Sequence, residues 1–247
     1  MIASCFCAAQ VRGHLDEILT RYVATDVSAV IAAKQEAPTI EEVIARTRDY
    51  VGQVIVVVGR STDGTGELAA RSGARVVCDG DLGKGEAIRR AIPLVHTPVT
   101  VLLDADGSHD PEDIPLLVEP ILAGRADHVS ASRLRGGSSE LHGGFDEFFR
   151  LAGSSFITAC INWRFKCSLS DSQNGFRAIR TGVLRELKLR ENATTIEQEM
   201  IIQTLRRGLR IEEVPSHEHA RRYGSSHIRV WHSAPRYGYS LVKNLFF

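Results

Sequence analysis

Two carboxylates spaced two positions apart, Asp104 and Asp106, directly follow an apolar run at residues 99–103. The run is rich in β-branched and aliphatic side chains, which is typical of a strand buried on both faces. Ligands of open parallel sheets bind at the carboxyl ends of the strands. Because two hard oxygen donors on a short loop can hold a divalent cation against a diphosphate, we expect a cation site here. The alternative is a plain turn after Asp106, whereas Asp110, which precedes a proline, predicts a helix N-cap.

Two basic residues are expected near the same sheet edge. Lys84 lies just before a predicted helix at residues 86–92. Free backbone N–H groups at a helix start could approach a phosphate, although a plain helix entry is an equal alternative. Arg133 follows a predicted strand at residues 127–132, which brings it to the edge that carries the aspartates.

Other polar patterns carry a weaker signal. Arg150 and Ser154 lie four residues apart on a predicted helix and share one face, but that pair alone is more typical of a solvated stripe. The glycine-rich segments 59–66 and 80–85 have neither the spacing of a dinucleotide fingerprint nor the Lys-Ser/Thr pair of a phosphate-binding P-loop.

Three histidines near the end of the chain, His217, His219 and His227, raise the alternative of a zinc site. We expect His217 and His219 on opposite faces of an extended segment, and no cysteine or further carboxylate cluster accompanies them. The sequence therefore does not favour zinc.

Strand-like and helix-like segments alternate along the chain, which predicts an α/β fold with a mainly parallel sheet and favours one domain. A capping box at residues 39–42 (Thr-Ile-Glu-Glu) marks a helix start. Predicted strands cover residues 27–32, 54–58, 75–78, 99–103, 127–132 and 209–215, with a short one within 171–179. Predicted helices cover residues 39–50, 66–73, 86–92, 111–122, 146–165 and 195–207.

Composition limits the classes of partner. The chain of 247 residues has 30 Lys plus Arg and 30 Asp plus Glu, so nothing global favours nucleic acid. After residue 200 the chain has eight basic and three acidic residues. This excess of positive charge suits an anionic substrate or membrane surface, although such an excess more commonly marks a solvent-exposed surface. An odd number of cysteines, five, fits a reducing cytoplasm.

Both ends of the chain are amphipathic. Residues 1–25 predict a short helix outside the sheet, and residues 231–247 predict either a peripheral membrane helix or a cover for the sheet. No apolar run approaches the about 20 residues that a spanning helix needs, which predicts a soluble or peripheral protein.

Several motifs, in one order from about residue 27 to 228, resemble those of the inverting family 2 glycosyltransferases. They lie at residues 32–36 (Ala-Ala-Lys-Gln-Glu), 61–65 (Ser-Thr-Asp-Gly-Thr), 83–85 (Gly-Lys-Gly), 104–111, 171–177 and 222–227. Within that family they are similar to the dolichyl-phosphate mannose synthase-like group of polyprenyl-phosphate sugar transferases. The resemblance implies a GT-A fold, with a nucleotide-sugar half at 27–125 and an acceptor half at 126–228. An N-terminal extension (1–26) and a C-terminal amphipathic segment (229–247) would flank them.

The resemblance also implies roles for individual residues. It implies a Mg²⁺ or Mn²⁺ site at Asp104, Asp106 and Ser108. It implies nucleotide-sugar contacts from Ala32, Glu36, Asp63, Lys84, Asp104 and Asp106. It implies acceptor contacts from Arg133, Arg150, Ser154, Gln173, Ser226 and His227, and catalytic roles for Asp106, Asp171 and Arg222.

Two segments depart from the family pattern. Residues 58–60 (Val-Gly-Arg) replace an acidic start of the second loop, and Arg60 could instead pair with a phosphate. Ser226-His227 replaces Ser-Lys, which makes the charge at that position dependent on pH.

The resemblance favours transfer of mannose or glucose from a GDP- or UDP-sugar to a polyprenyl or dolichyl phosphate, with peripheral membrane association. A lipid phosphate is already an anion, so it needs no general base but needs cations, for which Arg133, Arg150 and Arg222 are candidates. One alternative is a soluble alcohol acceptor with Asp171 as the base. Another is a catalytically silent GT-A subunit that only binds, suggested by residues 58–60.

Overall fold

A seven-stranded sheet forms the centre of the protein. The structure is a computed structural model that describes residues 24–139, 145–223 and 230–247, without the side chains of residues 145–148 and 230–233. The strands are β1 (Val27–Ala33), β2 (Gln53–Val58), β3 (Arg75–Cys78), β4 (Val99–Asp104), β5 (His128–Ser132), β6 (Arg177–Arg180) and β7 (Ile211–Pro215). Their order is β3-β2-β1-β4-β6-β5-β7, and only β6 runs antiparallel to its neighbours. The predicted α/β fold with a mainly parallel sheet is confirmed.

Helices cover both faces of the sheet. They are α1 (Ile40–Arg48), α2 (Thr65–Arg71), α3 (Lys84–Ala91), α4 (Ile114–Leu122), α5 (Arg133–Gly136), α6 (Phe145–Phe165), α7 (Thr181–Glu186), α8 (Ile196–Arg206) and α9 (Val230–Phe246). Side chains alternate along β1, so that Val27, Ala29 and Ile31 pack with α1, α2 and α4, whereas Val30 packs with α3, α7 and α8. The sheet is therefore buried on both faces, as the apolar strand sequences predict.

A third layer lies on the second helical face. Ile157 and Ile161 of α6 pack with Leu241 and Leu245 of α9, and both helices pack on α8. One of the two predictions for residues 231–247 was that this segment covers the sheet. That prediction is wrong, because α9 packs on α6 and α8. No helix of the described ranges is long and apolar enough to cross a membrane. The helix predicted in residues 1–25 lies outside the described residues, apart from a short 3₁₀ turn at Ala24–Asp26.

Local capping connects the fold to the strand ends. Asp110 accepts a hydrogen bond from the Glu112 amide, as predicted for an N-cap. Helix α1 begins after Thr39 as expected, but the predicted capping box is wrong, because the Thr39 side chain makes no cap bond. Its hydroxyl donates instead to the carbonyl of Ala105 at 2.7 Å. The start of α1 is thereby fixed to the loop that carries the aspartate pair.

Candidate active site

A cavity of about 1240 Å³ opens at the carboxyl ends of β1, β2 and β4. The loops after these strands line it together with residues of α6, α8 and α9. The structure therefore has a cavity where the sheet topology predicts ligands.

Most of the residues predicted from the sequence line this cavity. They are Ala32, Glu36, Lys84, Asp104, Asp106, Ser108, Arg133, Arg150, Ser154 and Gln173. Three predicted residues, Asp63, Asp171 and Arg222, do not line it. Two more, Ser226 and His227, lie outside the described residues.

Asp104 belongs to a partly buried group of three ionisable side chains. The Lys84 ammonium lies 2.6 Å from a carboxylate oxygen of Asp104 and 2.6 Å from one of Glu197 on α8. Burial would raise the pKa of Asp104, but the charges of Lys84 and of His109 lower it to about 2. Burial would lower the pKa of Lys84, but the two carboxylates hold it above its ordinary value. Asp104 and Lys84 are therefore both charged at neutral pH.

The position of Lys84 differs from the prediction. Lys84 is the first residue of α3 rather than the residue before the helix, and its ammonium contacts carboxylates. A glycine at position 175 makes this arrangement possible. A Cβ there would lie 2.7 Å from the Lys84 ammonium and 2.9 Å from a carboxylate oxygen of Asp104. The glycine therefore permits a close approach of the backbone to these two charged side chains.

Asp106 faces the cavity with its second carboxylate oxygen. Its first oxygen accepts hydrogen bonds from the amide and the hydroxyl of Ser108, at 3.0 and 2.6 Å. Its second lies 2.7 Å from the Arg221 guanidinium, which also lies 3.3 Å from a carboxylate oxygen of Glu36. Arg221 thus bridges the ends of β1 and β4.

Glu36 has a strongly perturbed pKa. Burial raises the pKa, Arg221 opposes that change, and the nearby charges of Asp106 and Asp104 add to it, so that the pKa is about 7. The Glu36 amide donates to the Thr65 hydroxyl at 3.0 Å, which fixes the first loop against the second.

The prediction of a catalytic Arg222 is wrong in its placement. The Arg222 guanidinium pairs with Glu42 on α1 at 2.6 Å, and both side chains are about half exposed, at 49% and 50%. Adjacent side chains of a non-helical segment diverge, so only one of the two arginines can point toward the aspartates. The segment is fixed by the His219 amide, which donates to the Ser108 carbonyl at 2.9 Å. Arg221 therefore occupies the position that the sequence assigned to Arg222.

Asp171 is the buried counter-ion of Arg133. The guanidinium of Arg133 binds both carboxylate oxygens of Asp171, at 2.7 and 3.0 Å, and lies 3.4 Å from Glu218. Burial would raise the pKa of Asp171, but the hydrogen bonds from Arg133 lower it overall. A general base needs a free oxygen and a higher pKa. In this geometry Asp171 is the counter-ion of Arg133 and does not suit the role of general base that was predicted for it. The charge of Arg133 is in turn neutralised by Asp171.

Asp63 connects two loops. One carboxylate oxygen accepts from the amide and hydroxyl of Thr65, and the other accepts from the Ala37 amide at 3.0 Å. Asp63 therefore fixes the loop that carries Glu36, and its predicted nucleotide contact stays a prediction.

Two buried polar atoms on the α6 side of the cavity have no partner among the described residues. They are Nε of Arg150 and Oε1 of Gln173. Arg150 makes no ion pair with any described side chain, whereas the Ser154 hydroxyl donates within the helix to the Leu151 carbonyl. Buried polar groups in proteins are nearly always hydrogen-bonded, so these two atoms suit a polar ligand.

Several residues that line the cavity were not predicted from the sequence. They are Glu197, Arg221, Asp79, Arg190 and Arg236. Of these, Glu197 contacts Lys84 and Arg221 contacts Asp106. Glu197 lies 113 positions from Lys84, and no spacing rule connects the two. Asp79 follows β3 directly, as Asp104 ends β4, so the rule of polar residues at strand ends could have found it.

The expectation that His217 and His219 point to opposite faces is wrong. Their rings lie edge to face, with centroids 4.9 Å apart. His217 bonds the Ser139 hydroxyl at 2.8 Å. In the described ranges, no group of three or more His, Cys, Asp or Glu side chains could hold a metal ion by itself.

The donor atoms at Asp106 nevertheless fit a divalent cation whose coordination a diphosphate completes. Mg²⁺ is commonly bound by one or two carboxylates together with substrate phosphates. Asp106 and Ser108 present hard oxygen atoms at the cavity wall. The three carboxylates of Glu36, Asp104 and Asp106 also outnumber the two side-chain cations that contact them.

Comparison with known proteins supplies an independent line of information. Residues 28–188 match the family model "Glycosyl transferase family 2". A dolichyl-phosphate hexose transferase of Haloferax volcanii is 30% identical over 228 residues, which cover 91% of this chain and 96% of the relative. Glycosyltransferase AglJ of the same organism is 31% identical over 192 residues, which cover 77% of this chain and 62% of AglJ. The chain thus spans less than two thirds of AglJ.

A solved structure shares the fold. Glucosyl-3-phosphoglycerate synthase from Mycobacterium tuberculosis, in complex with Mn²⁺, uridine diphosphate and phosphoglyceric acid, aligns with a TM-score of 0.75. The alignment has 24% identity and covers 94% of this chain and 83% of that one.

Proposed function

The chain belongs to glycosyl transferase family 2, and from that membership we propose that it moves a hexose from a nucleoside diphosphate sugar to a polyprenyl or dolichyl phosphate. Membership makes the protein a glycosyltransferase, and the predicted family resemblance and GT-A fold are confirmed. The observation that carries the acceptor is Arg150, a cation without an ionic partner among the described side chains, in a cavity with an aromatic rim.

The donor site we propose lies at the ends of β1, β3 and β4. Asp106 and Ser108, beside Asp104, would hold Mg²⁺ or Mn²⁺, which would supply positive charge to the leaving diphosphate. Arg221 lies against Asp106 and can give hydrogen bonds to the same diphosphate. Glu36 and the backbone at Ala32 would hold the nucleoside. The M. tuberculosis structure with Mn²⁺ and uridine diphosphate supports a UDP-sugar, with a GDP-sugar as the alternative.

Asp79 compensates for the missing acidic residues of the second loop in this proposal. Residues 58–60 contain no carboxylate. Asp79 is buried, and both Asp79 and Gly59 line the cavity. Its carboxylate accepts from the Asp81 amide at 2.6 Å and so has a fixed orientation. We assign it the donor contact that residues 58–60 cannot make.

The acceptor site we propose lies between α6 and α9. A phosphate monoester is an anion at neutral pH and attacks without a general base, which suits a site where Asp171 is unavailable. Arg150, Arg190 and Arg236 line the cavity, and none forms an ion pair with a described residue. Exposed aromatic side chains of Phe149 and Phe156 lie beside them. Cations next to apolar surface fit a phosphate with a hydrocarbon chain, and the named H. volcanii hexose transferase supports this substrate class.

A soluble phosphorylated acceptor is the second candidate. The M. tuberculosis neighbour was solved with phosphoglyceric acid, and the same arginines would suit its phosphate. The silent-subunit hypothesis is a third possibility that turnover would refute. A cytoplasmic location at the inner face of the membrane stays a prediction.

The test is an acceptor panel with labelled UDP-glucose and GDP-mannose, with Mn²⁺, with Mg²⁺ or with a chelator. The acceptors are a short water-soluble isoprenyl phosphate, the corresponding alcohol, and phosphoglyceric acid. We expect metal-dependent transfer to the isoprenyl phosphate and none to the alcohol. Transfer to phosphoglyceric acid alone would replace the proposal by the second candidate, and transfer to the alcohol would require a base.

A further inference from the structure

Two neighbouring helices expose aromatic stripes to solvent. On α6, Phe149, Phe156 and Trp163 recur every seven residues and so share one face, with exposed fractions of 40%, 66% and 67%. On α9, Tyr239 and Phe246 share a face in the same way, with exposed fractions of 71% and 56%. Large apolar side chains concentrated on one face of a protein mark an interaction surface. We call the two stripes together the aromatic face.

Basic residues predominate among the charges of this region. Residues 149–166 and 230–247 contain no Asp or Glu, although α6 begins with Asp146 and Glu147 in its first turn. The charged side chains of these two ranges are Arg150, Arg164, Lys166, Arg236 and Lys243, of which Lys243 pairs with Glu191 at 3.1 Å. The Lys166 ammonium lies 5.8 Å from the centre of the Trp163 ring, so a cation accompanies the exposed aromatics. A partner that is both apolar and anionic therefore suits this surface.

The aromatic face is continuous with the candidate acceptor site. Ile161 and Leu241 are buried where α6 and α9 pack, which places the two stripes on neighbouring helices. Phe149, Phe156 and Tyr239 belong to the stripes and also line the cavity. A surface that covered the aromatic face would thus cover the mouth of the cavity.

We propose that the aromatic face docks on an anionic phospholipid bilayer, with the cavity mouth directed at the lipid. Trp, Tyr and Phe side chains on amphipathic helices insert at the headgroup boundary, and Lys and Arg bind anionic headgroups. A second copy of the chain is a poorer occupant, because a two-fold contact would place Arg164 and Lys166 of both copies on facing, predominantly basic surfaces. The proposal rests on the proposed function in one respect, because docking would serve to deliver a lipid acceptor to the cavity. Docking itself can be measured without any sugar transfer.

The test is co-sedimentation of the full chain with two kinds of vesicle. One contains phosphatidylcholine and phosphatidylglycerol in equal parts, and the other contains phosphatidylcholine alone. We expect binding to the mixed vesicles, weaker binding to phosphatidylcholine, and loss of affinity by about tenfold or more for the double variant Trp163→Ser/Phe246→Ser. Neither residue lines the cavity. The matched control is Leu122→Ser, which removes an exposed leucine at the end of α4.

Charge is tested separately. Arg164→Glu/Lys166→Glu should weaken binding to mixed vesicles and abolish its salt dependence, whereas Arg71→Glu on the exposed surface of α2 should not. Wild-type protein that stays in the supernatant with both vesicles, or variants that bind like wild type, would overturn the proposal. A dimer in light scattering that Trp163→Ser/Phe246→Ser dissociates would overturn it in favour of self-association.

Failure of docking and failure of the proposed function have different signatures. If docking is correct, Trp163→Ser/Phe246→Ser loses transfer to acceptor embedded in mixed vesicles and keeps wild-type transfer to the short water-soluble acceptor. If only the proposed function is wrong, vesicle binding still depends on Trp163 and Phe246, but no lipid phosphate is glycosylated by any form of the protein.

Discussion

The two sides of the cavity differ in how their charges are neutralised. On the donor side, Lys84 lies between Asp104 and Glu197, and Arg221 lies between Asp106 and Glu36. On the acceptor side, Arg150, Arg190 and Arg236 have no ionic partner among the described residues. Arg133 and Lys243 are exceptions there, because Asp171 and Glu218 neutralise Arg133 and Glu191 pairs with Lys243 at 3.1 Å.

This difference indicates two ways of receiving an anion. A diphosphate sugar with its cation must exchange contacts on the donor side, since Arg221 is already bound to carboxylates. A phosphate on the acceptor side could bind Arg150, Arg190 or Arg236 without displacing a described carboxylate from them. Removing a donor-side cation therefore leaves carboxylates without their partner, whereas removing Arg150, Arg190 or Arg236 leaves no described carboxylate unpaired.

The largest expected effect comes from Lys84→Met. This change leaves the buried carboxylate of Glu197 and the partly buried carboxylate of Asp104 without their cation, which should lower the free energy of unfolding by about 3 kcal/mol. Urea denaturation followed by circular dichroism measures it. Lys188→Met, at an exposed lysine, is the control and should change little. A loss below about 1 kcal/mol for Lys84→Met would mean that the buried charges find other partners.

Arg150→Ala tests the acceptor side. Loss of one charged hydrogen-bond donor should raise KM for a water-soluble isoprenyl phosphate by about 10–100-fold. The KM for the sugar donor and the unfolding midpoint should stay near wild type, because Arg150 has no partner to lose among the described residues. Arg164→Ala, on the same helix but outside the cavity lining, serves as the control in these steady-state kinetics. An unchanged acceptor KM for Arg150→Ala would remove this arginine from the acceptor site.

A smaller effect should separate two adjacent arginines. Arg221→Ala should raise KM for the sugar donor by about tenfold, because its guanidinium contacts Asp106 and Glu36. Arg222→Ala should remain within about twofold of wild type, because its pair with Glu42 is half exposed. The reverse order of effects would restore the assignment made from the sequence.

The smallest effect is the pH dependence of stability at Glu36. The pKa of this carboxyl is raised from 4.5 to about 7 by burial, so the folded state holds the proton more tightly than the unfolded chain. Its favourable contribution is complete below pH 4.5 and is lost as the pH rises through about 7. Glu36→Gln should therefore flatten the fall of the thermal midpoint over this interval in chelator-treated protein. Glu41→Gln, at an exposed position on α1, should leave the wild-type profile, and equal profiles for both variants would contradict the assignment.

Periodicity predicted the parts of the fold that depend on local sequence. The apolar run of β4 and the polar residues after it placed Asp104 and Asp106 correctly, because a strand buried on both faces must end before a charge. The same rule placed Arg133 at the end of β5. The division into halves at residue 125 stays a prediction.

Long-range pairing was beyond sequence reasoning. No local sequence pattern relates Lys84 to Glu197, and none shows that Arg133 binds the carboxylate of Asp171. The choice between Arg221 and Arg222 depends on a backbone bond from His219 to the Ser108 carbonyl, which no motif encodes. Helix α9 was correctly expected to be amphipathic, but the surface it covers is set by α6 and α8.

Phosphorus NMR of the acceptor during turnover shows whether its phosphate receives the sugar. With isoprenyl phosphate and the preferred sugar donor, we expect the phosphomonoester signal to convert to a phosphodiester signal. This conversion should match the release of nucleoside diphosphate one for one, and Arg150→Ala should slow it at subsaturating acceptor. Release of nucleoside diphosphate with an unchanged phosphomonoester signal would contradict a lipid phosphate as the group that receives the sugar.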